Sequence, residues 1–475
     1  MFRSVIVLSF FLLIIPFGSS GQQPWSLEDC IRYAMENNIQ IKQAVLNTEY
    51  NENLLNQSRL GQIPNLNASS NYSYSWGRAL DQTTYQFTED QQINSMSVGV
   101  TSSANLFNGL RTRNTIERNK LNLMASYEDV EKIRNDISLN IAAAYLSILF
   151  NKELVMVTRS QVEVTGQQVE RTRKMVDAGR LARGSYLEIQ AQYAAEELNL
   201  VNAENQFEIS LLNLQQILDL PVDTAFEVSI PDLPDPGDNL MVTDADQVFL
   251  TAEQEMPEIK SAKLLVESSG RDLKIAESGR YPRIFISANY NSGFSDIRQK
   301  VVEINDIENP QIGVTGGGDP VYSIYPQTIP VYGSYPFFEQ IRDNTSVGLG
   351  AGISIPIFNG WQVETNVANA RIQLENQRLE LQNRRNILYA SIQQAYADAL
   401  AALKKYTASE QALIAMEESF KYTEKKFEVG LVNTVDYNVS KNQLTSTQSD
   451  LLQAKYDFIF KTNVLNFYQG IPITL

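Results

Sequence analysis

The chain has 475 residues, 43% apolar and 20% charged, with a formal charge of −16, no histidine and a single cysteine, Cys30. This excludes a disordered chain, an internal disulfide and a thiolate metal cluster, and it makes nucleic acid a poor partner. Without histidine the commonest general base and metal ligand are gone, and no Gly-x-Ser-x-Gly, phosphate loop or supported acid pair replaces them, so no catalytic residue, metal site or cofactor is assigned. The length allows two or three domains, or one elongated architecture.

Residues 1–21 read as a secretory signal peptide: Arg3 supplies the positive charge, Val5 to Phe17 the apolar stretch, and Ser19-Ser20-Gly21 the small residues for cleavage. The apolar stretch is short for a bilayer span; a retained anchor is the competing reading. No later stretch is expected to reach the ~18 apolar residues of a membrane helix. Cys30 lies too far beyond the signal to be a lipidated cysteine.

The rest is written twice. Phe107-Asn108-Gly109 recurs as Phe358-Asn359-Gly360, and Gly99/Gly350, Gly179/Gly430, Tyr186/Tyr437, Gln192/Gln443 and Pro221/Pro472 keep the same offset (350 − 99 = 251). Ala34/Ala252, Ile41/Ile259, Gly61/Gly279 and Pro64/Pro282 keep another (282 − 64 = 218). The difference, 251 − 218 = 33, is an insertion in the second half, rich in Gly, Pro and Tyr. Such repetition sets the architecture. The expected division is a first repeat at 22–221, a linker or equatorial segment at 222–245 and a second repeat at 246–475. The second repeat carries a longer surface loop at about 295–345.

Each half should contain a short helix, two strands, a long helix and a short helix. Helices are expected at roughly 27–61 and 184–217. After Pro64, Leu66, Ala68, Tyr72, Tyr74 and Trp76 alternate with Asn67, Ser69, Asn71, Ser73 and Ser75, and Val98 to Leu106 alternates likewise. In the second half Ile284, Ile286, Ala288 and Tyr290 alternate with Phe285, Ser287, Asn289 and Asn291. Val347, Leu349, Ala351, Ile353, Ile355 and Ile357 alternate with Ser346, Gly348, Gly350, Gly352 and Ser354. Strands of about ten residues, apolar on one face and polar on the other, suit a membrane barrel around water. A two-faced soluble sheet has the same pattern. The stretches Arg111 to Ala178 and Gln362 to Val429 hold no proline and almost no glycine, enough for helices of about 100 Å. Val155, Thr158, Val162, Thr165, Val169, Thr172 and Val176 keep a coiled-coil spacing, as do Leu413, Met416, Phe420, Thr423 and Phe427. Four strands cannot close a barrel, and open edges are not tolerated in lipid, so the chain is expected to oligomerise; three copies give twelve strands.

"WSLEDCIRYAMENN" at 25–38, the prolines before the strands at 64 and 282, "LFNG", "PIFNG" and "VGLVNTVDY" at 429–437 resemble the TolC-like outer-membrane factor family over essentially the whole mature chain. The resemblance implies a mixed fold: a twelve-stranded β-barrel in the cell outer membrane of a homotrimer, continued by a long α-helical coiled-coil barrel through the periplasm. It implies a passive export outlet of a tripartite efflux pump or type I secretion system. The implied partners are a periplasmic adaptor (membrane fusion protein), an inner-membrane transporter of RND or ABC type, and outer-membrane lipid.

The resemblance places adaptor docking at the turns around Gly179, Arg180 and Leu181 and around Gly430 and Leu431. It places the periplasmic entrance at Asp436 and Phe427, with Val439 where the family has a second acid and Val432 where it has a basic lock residue. An acidic ring favours cations. The strand-to-helix junctions are expected at Pro64, Phe107, Asn108, Gly109, Pro282, Phe358, Asn359 and Gly360, with the phenylalanines ending strands and the asparagines capping the long helices. Two alternatives remain at this point. One is a periplasmic adaptor-like coiled-coil protein, disfavoured by the duplicated helices; the other is a surface-exposed structural or receptor barrel.

Overall fold

The computed structural model describes residues 24–78, 80, 87, 90–221, 226–231 and 244–473. The signal segment 1–21 lies outside them, as does most of the linker 222–245. The chain forms two compact units: a helical one from residues up to 48, 125–263 and 380 onward, and a sheet-bearing one from 49–124 and 264–379.

The long helices are α3 (Arg111–Asp177) and α8 (Gln362–Glu428), each of 67 residues. Each is followed by a 35-residue helix, α4 (Arg183–Ile217) and α9 (Thr434–Tyr468). The leading helix of each half, expected as one piece, is two: α1 (Leu27–Asn37) and α2 (Ile39–Leu60), then α5 (Ala245–Glu255) and α6 (Pro257–Glu277). The breaks fall at equivalent places, Asn38 and Met256, by two different means. Asn38 Oδ1 accepts from the N–H groups of Gln40 (2.9 Å) and Ile41 (3.4 Å), restarting the helix. Met256 precedes Pro257, which disfavours helical backbone before it and tolerates first position after it. Helix α1 begins with a capping box, Ser26 Oγ accepting from Asp29 N (3.1 Å) and Ser26 N donating to Asp29 Oδ2 (3.2 Å). The hydrogen bonds from Ser26 hold the Asp29 carboxyl below its ordinary range.

The core of the helical unit is built on α3. Ile137, Ile141, Tyr145, Ile148 and Leu149 pack with Cys30 and Ala34 of α1 and Leu214 of α4. This corrects one expectation: a window of α3 is long and apolar enough, by composition, to cross a bilayer, yet Ile141, Tyr145, Ile148 and Leu149 of that helix are spent on this core. Tyr145 donates to Ser229 O at 2.6 Å and lies 3.0 Å from Trp25 O, pinning the segment at 226–231 beside Trp25. Cys30 is fully buried, and burial pushes its thiol up to about 12. A second cluster joins Val248, Ala252 and Ile259 to Leu388, Ile392 and Leu465.

The sheet unit carries β1 (Asn65–Gly77), β2 (Gln91–Asn108), β3 (Arg283–Ser295) and a fourth long strand, Ser346–Ser354, numbered β8 because four strands intervene. The order is β1-β2-β3-β8, antiparallel throughout. The register keeps the two faces of the sheet distinct. Ala68↔Val100, Val100↔Tyr290, Ala288↔Leu349 and Tyr290↔Val347 share one face, while Ser69↔Gly99, Gly99↔Asn291 and Ser287↔Gly350 share the other. A one-residue slip would mix them.

Residues 296–345, expected as a loop, are structured. Strands β4 (Gln299–Ile307) and β7 (Gln327–Ser334) pair, as do β5 (Gln311–Val314) and β6 (Pro320–Tyr322). Val, Ile and Tyr between the Gly and Pro positions favour extended pairs over coil. Helix α7 (Phe337–Asp343) is fastened to β3 by the buried Gln340, which accepts from Ser295 N (3.0 Å) and donates to Ser295 O (2.9 Å).

Candidate functional site

The sequence points to three places: the strand-to-helix junctions, the helix turns and the segment after the second turn. At the first junction β2 runs through Phe107 to Asn108, with a register shift between Asn105 and Phe107 that turns Phe107 to the apolar face opposite Ile284. Asn108 lies against the start of α3: its Oδ1 accepts from Thr112 N (3.3 Å) and its Nδ2 donates to Thr112 Oγ1 (2.7 Å).

The second junction differs. Strand β8 ends at Ser354, so Phe358 does not end a strand; Pro356 has no N–H to continue the ladder. Asn359 offers its main-chain carbonyl to Gln362 N (3.3 Å), and Val363, standing where the first half has Thr112 (112 + 251 = 363), has no hydroxyl to receive an asparagine side chain. Both junctions nevertheless turn alike. Gly109 and Leu110 have φ of 67° and 65°, Gly360 and Trp361 63° and 69°. Two successive left-handed residues, one of them not glycine, are costly enough to mark a held geometry. Pro64 and Pro282 immediately precede β1 and β3.

The two helix turns are built identically. After α3, Gly179 N donates to Val176 O (2.9 Å) and Arg180 N to Met175 O (2.8 Å). After α8, Gly430 N donates to Phe427 O (3.1 Å) and Leu431 N to Lys426 O (2.9 Å). This is the Schellman arrangement, with glycine at positive φ of 70° and 78°. Leu181 is half-buried; Leu431 stands exposed.

Beyond the second turn, Asn433 caps α9 by accepting from Asp436 N at 2.8 Å. Asp436 is exposed on the first turn of α9, where a carboxylate suits the helix dipole. Val439 is exposed and Val432 half-buried. Phe427 stacks on Tyr437 with ring centroids 4.7 Å apart, and the Phe420 ring lies 5.5 Å from that of Tyr437. Tyr437 is buried, which pushes its hydroxyl up to about 12. The stripes expected to be seams face inward: Thr165 and Thr172 are buried, and Leu413, Met416, Phe420, Thr423 and Phe427 are each half-buried among exposed neighbours.

One group was missed by sequence reasoning. Lys441 of α9 and Glu196 of α4 form an ion pair at 3.4 Å, with side chains 3% and 8% exposed. Thr165 of α3 hydrogen-bonds to both. Around them Gln192 donates to Asn442 Oδ1 (2.7 Å) and Gln161 to Thr445 Oγ1. Burial lowers the Lys441 pKa, and Glu196 opposes that only in part. The available signal was heptad position: on α4 the buried residues Ile189, Glu196, Ala203 and Ser210 recur every seven, which places Glu196 in a core series.

The family model described as "Outer membrane efflux protein" matches residues 30–219 and 249–468. The chain is 21% identical over 462 residues to the outer membrane protein TolC of Escherichia coli K12, covering 95% of this chain and 83% of that protein. It is 20% identical over 447 residues to the alkaline protease secretion protein AprF of Pseudomonas aeruginosa, covering 94% and 84%. Among solved structures, CusC superposes with a TM-score of 0.73 at 14% identity, covering 94% of this chain and 92% of that one. The outer membrane protein VceC of Vibrio cholerae gives 0.71 at 14%, covering 94% and 97%. With matches over both halves, the chain belongs to the outer membrane efflux protein family, a family of outer-membrane channels rather than enzymes.

Proposed function

We propose that this chain is one third of a passive export duct, closed by three copies into a twelve-stranded barrel. It is an outer-membrane channel of an efflux or secretion system. The observation that carries the closure is the four-stranded sheet with free edges at β1 and β8. Its apolar face is bare, Leu349 being 85% exposed. An open edge in lipid leaves backbone groups unpaired at several kcal/mol each, which only closure relieves. Because the four strands alternate in direction, β8 of one copy runs antiparallel to β1 of the next, and twelve strands close without a parallel pair. The inner face is then mostly Ser, Asn, Thr and Gly, with Ile93 and Phe285 as apolar members, a largely polar, water-filled lining without strong preference for one cargo.

The helices form the periplasmic tunnel in this reading. The turns at Gly179, Arg180 and Leu181 and at Gly430 and Leu431 dock a periplasmic adaptor, which couples the duct to an inner-membrane transporter of RND or ABC type. Asp436 supplies three carboxylates to the entrance, lined also by Val432 and Val439. Phe427 acts there through Tyr437, holding α8 to α9.

The test is reconstitution of the purified protein into planar bilayers alongside its mass in detergent. Trimers that conduct, with Asp436→Ala altering conductance or divalent-cation block, are expected. Monomers without conductance would overturn the duct; unchanged conductance in the variant would overturn the Asp436 ring.

A further inference from the structure

The two strand-to-helix junctions have one backbone geometry and two different surroundings. A Cβ added to Gly109 would lie 2.8 Å from Ser278 O and 2.9 Å from Tyr281 Cβ, so that turn is packed. A Cβ on Gly360 would meet nothing within 4 Å, although its φ differs by only 4° (67 − 63). Beside it Ile357 is 95% and Phe358 80% exposed, on a cleft of roughly 350 Å³ shared with Arg280 and Val363. The second junction repeats the first without its packing partner.

We propose that the missing partner is residues 60–76 of a second copy, in a register dictated by the internal duplication. The proposal rests on the trimeric reading above and adds to it which residues meet. Strand β8 is β2 displaced by 251, and β1 is β3 displaced by 218. Applying both displacements to the β2–β3 ladder gives the pairing of β8 with β1 of the second copy. Met96↔Phe294 becomes Val347 opposite Trp76 (96 + 251, 294 − 218), Val98↔Ser292 becomes Leu349 opposite Tyr74, and Val100↔Tyr290 becomes Ala351 opposite Tyr72. Ser278 and Tyr281, which cover Gly109, become Leu60 and Ile63 of the second copy, covering Gly360.

Three further features fit this register. Leu60, the last residue of α2, and Ile63 just beyond it are apolar and exposed. The register puts apolar against apolar, and on the other face Gly348, Gly350 and Gly352 against Ser75, Ser73 and Asn71; a slip by one would reverse this. The strand directions are also correct for an antiparallel pair. The occupant of the cleft is therefore a second copy of this chain.

The test is oxidative crosslinking in outer membranes, with native Cys30 buried and silent. Directly opposed strand residues have Cβ atoms about 5 Å apart and two-residue diagonals about 7–8 Å, so register is readable. Leu349→Cys with Tyr74→Cys should give crosslinked oligomers several-fold more strongly than Leu349→Cys with Tyr72→Cys or Trp76→Cys. Ile63→Asp should leave a folded chain that no longer assembles. A shifted pair that crosslinks best, no crosslink in any pair within intact trimers, or Ile63→Asp trimers of wild-type yield would overturn the register. A wild-type protein that is monomeric would instead overturn the trimeric reading beneath it.

Discussion

Lys441 and Glu196 meet at 3.4 Å inside the helical unit, one from each of the two 35-residue helices, with Thr165 of a long helix touching both. Removing one partner strands the other charge in a dry site. Glu196→Ala should therefore cost about 3 kcal/mol, whereas Lys441→Met with Glu196→Leu should be close to neutral. The depressed Lys441 pKa gives the reason, since burial already outweighs the attraction of Glu196. Thermal melts of the two variants and of wild type decide this; a single variant as stable as the double would refute it.

Phe427 stacks on the buried Tyr437 at 4.7 Å, which makes it a fastening between α8 and α9. Phe427→Ala should lower stability by about 2 kcal/mol, less than for a fully buried ring because Phe427 is only half-buried. Phe427→Tyr, which keeps the ring, should restore both the melting temperature and the single-channel conductance. Failure of the tyrosine variant would mean that Phe427 acts through the pore and not through Tyr437.

Gly430 has φ of 78° and open space around its Cβ position. Gly430→Ala should cost about 1 kcal/mol, from backbone conformation alone, and Gly430→Asn less, since asparagine tolerates the left-handed region. Amide hydrogen exchange at 425–435 gives the measurement, with the alanine variant exchanging faster. If the asparagine variant were equally loosened, side-chain bulk rather than φ would be at fault.

Lys461 donates to Asp398 Oδ2 at 2.8 Å between α9 and α8, and this hydrogen bond, with that from Gln394, holds the Asp398 carboxyl below its ordinary value. A carboxyl depressed in the folded state binds fewer protons there than in the unfolded chain, so stability rises with pH through the window. Its contribution is present above about pH 4, the unfolded value, and is lost as pH falls through the lower folded value. The melting difference between wild type and Asp398→Asn should be constant from about pH 5 to 8 and shrink below about pH 4. A difference that persists at pH 2 would assign the stabilisation elsewhere.

Much of this architecture was legible in one dimension. Glycine marks the ends of α3 and α8, at Gly109 and Gly179 and at Gly360 and Gly430, because the chain must turn there, and alternation marks the strands because the side-chain period is two. Less legible were features that depend on what a residue touches. The break at Asn38 lies in a stretch with ordinary helical spacing; it becomes a break through the carbonyl oxygen that accepts from Gln40 and Ile41. The end of β8 at Ser354 was hidden because Ile355 and Ile357 continue the alternation past Pro356. Residues 296–345 looked like coil because Gly and Pro punctuate them, but the short β-branched runs between pair into ribbons.

The sequence by itself determined the duplication, the two faces of the sheet, the long helices and their turns. These follow from local periodicity and from the few residues that can adopt positive φ or refuse a helix. Tertiary structure alone decided that Glu196 and Lys441 are a buried pair, that Phe427 belongs to Tyr437, and that Gly109 is covered while Gly360 lies bare. Those are relations between residues separated by 10 to 245 positions, the widest being 441 − 196. A distance of that kind is set by packing and desolvation among helices and strands, which no local pattern encodes.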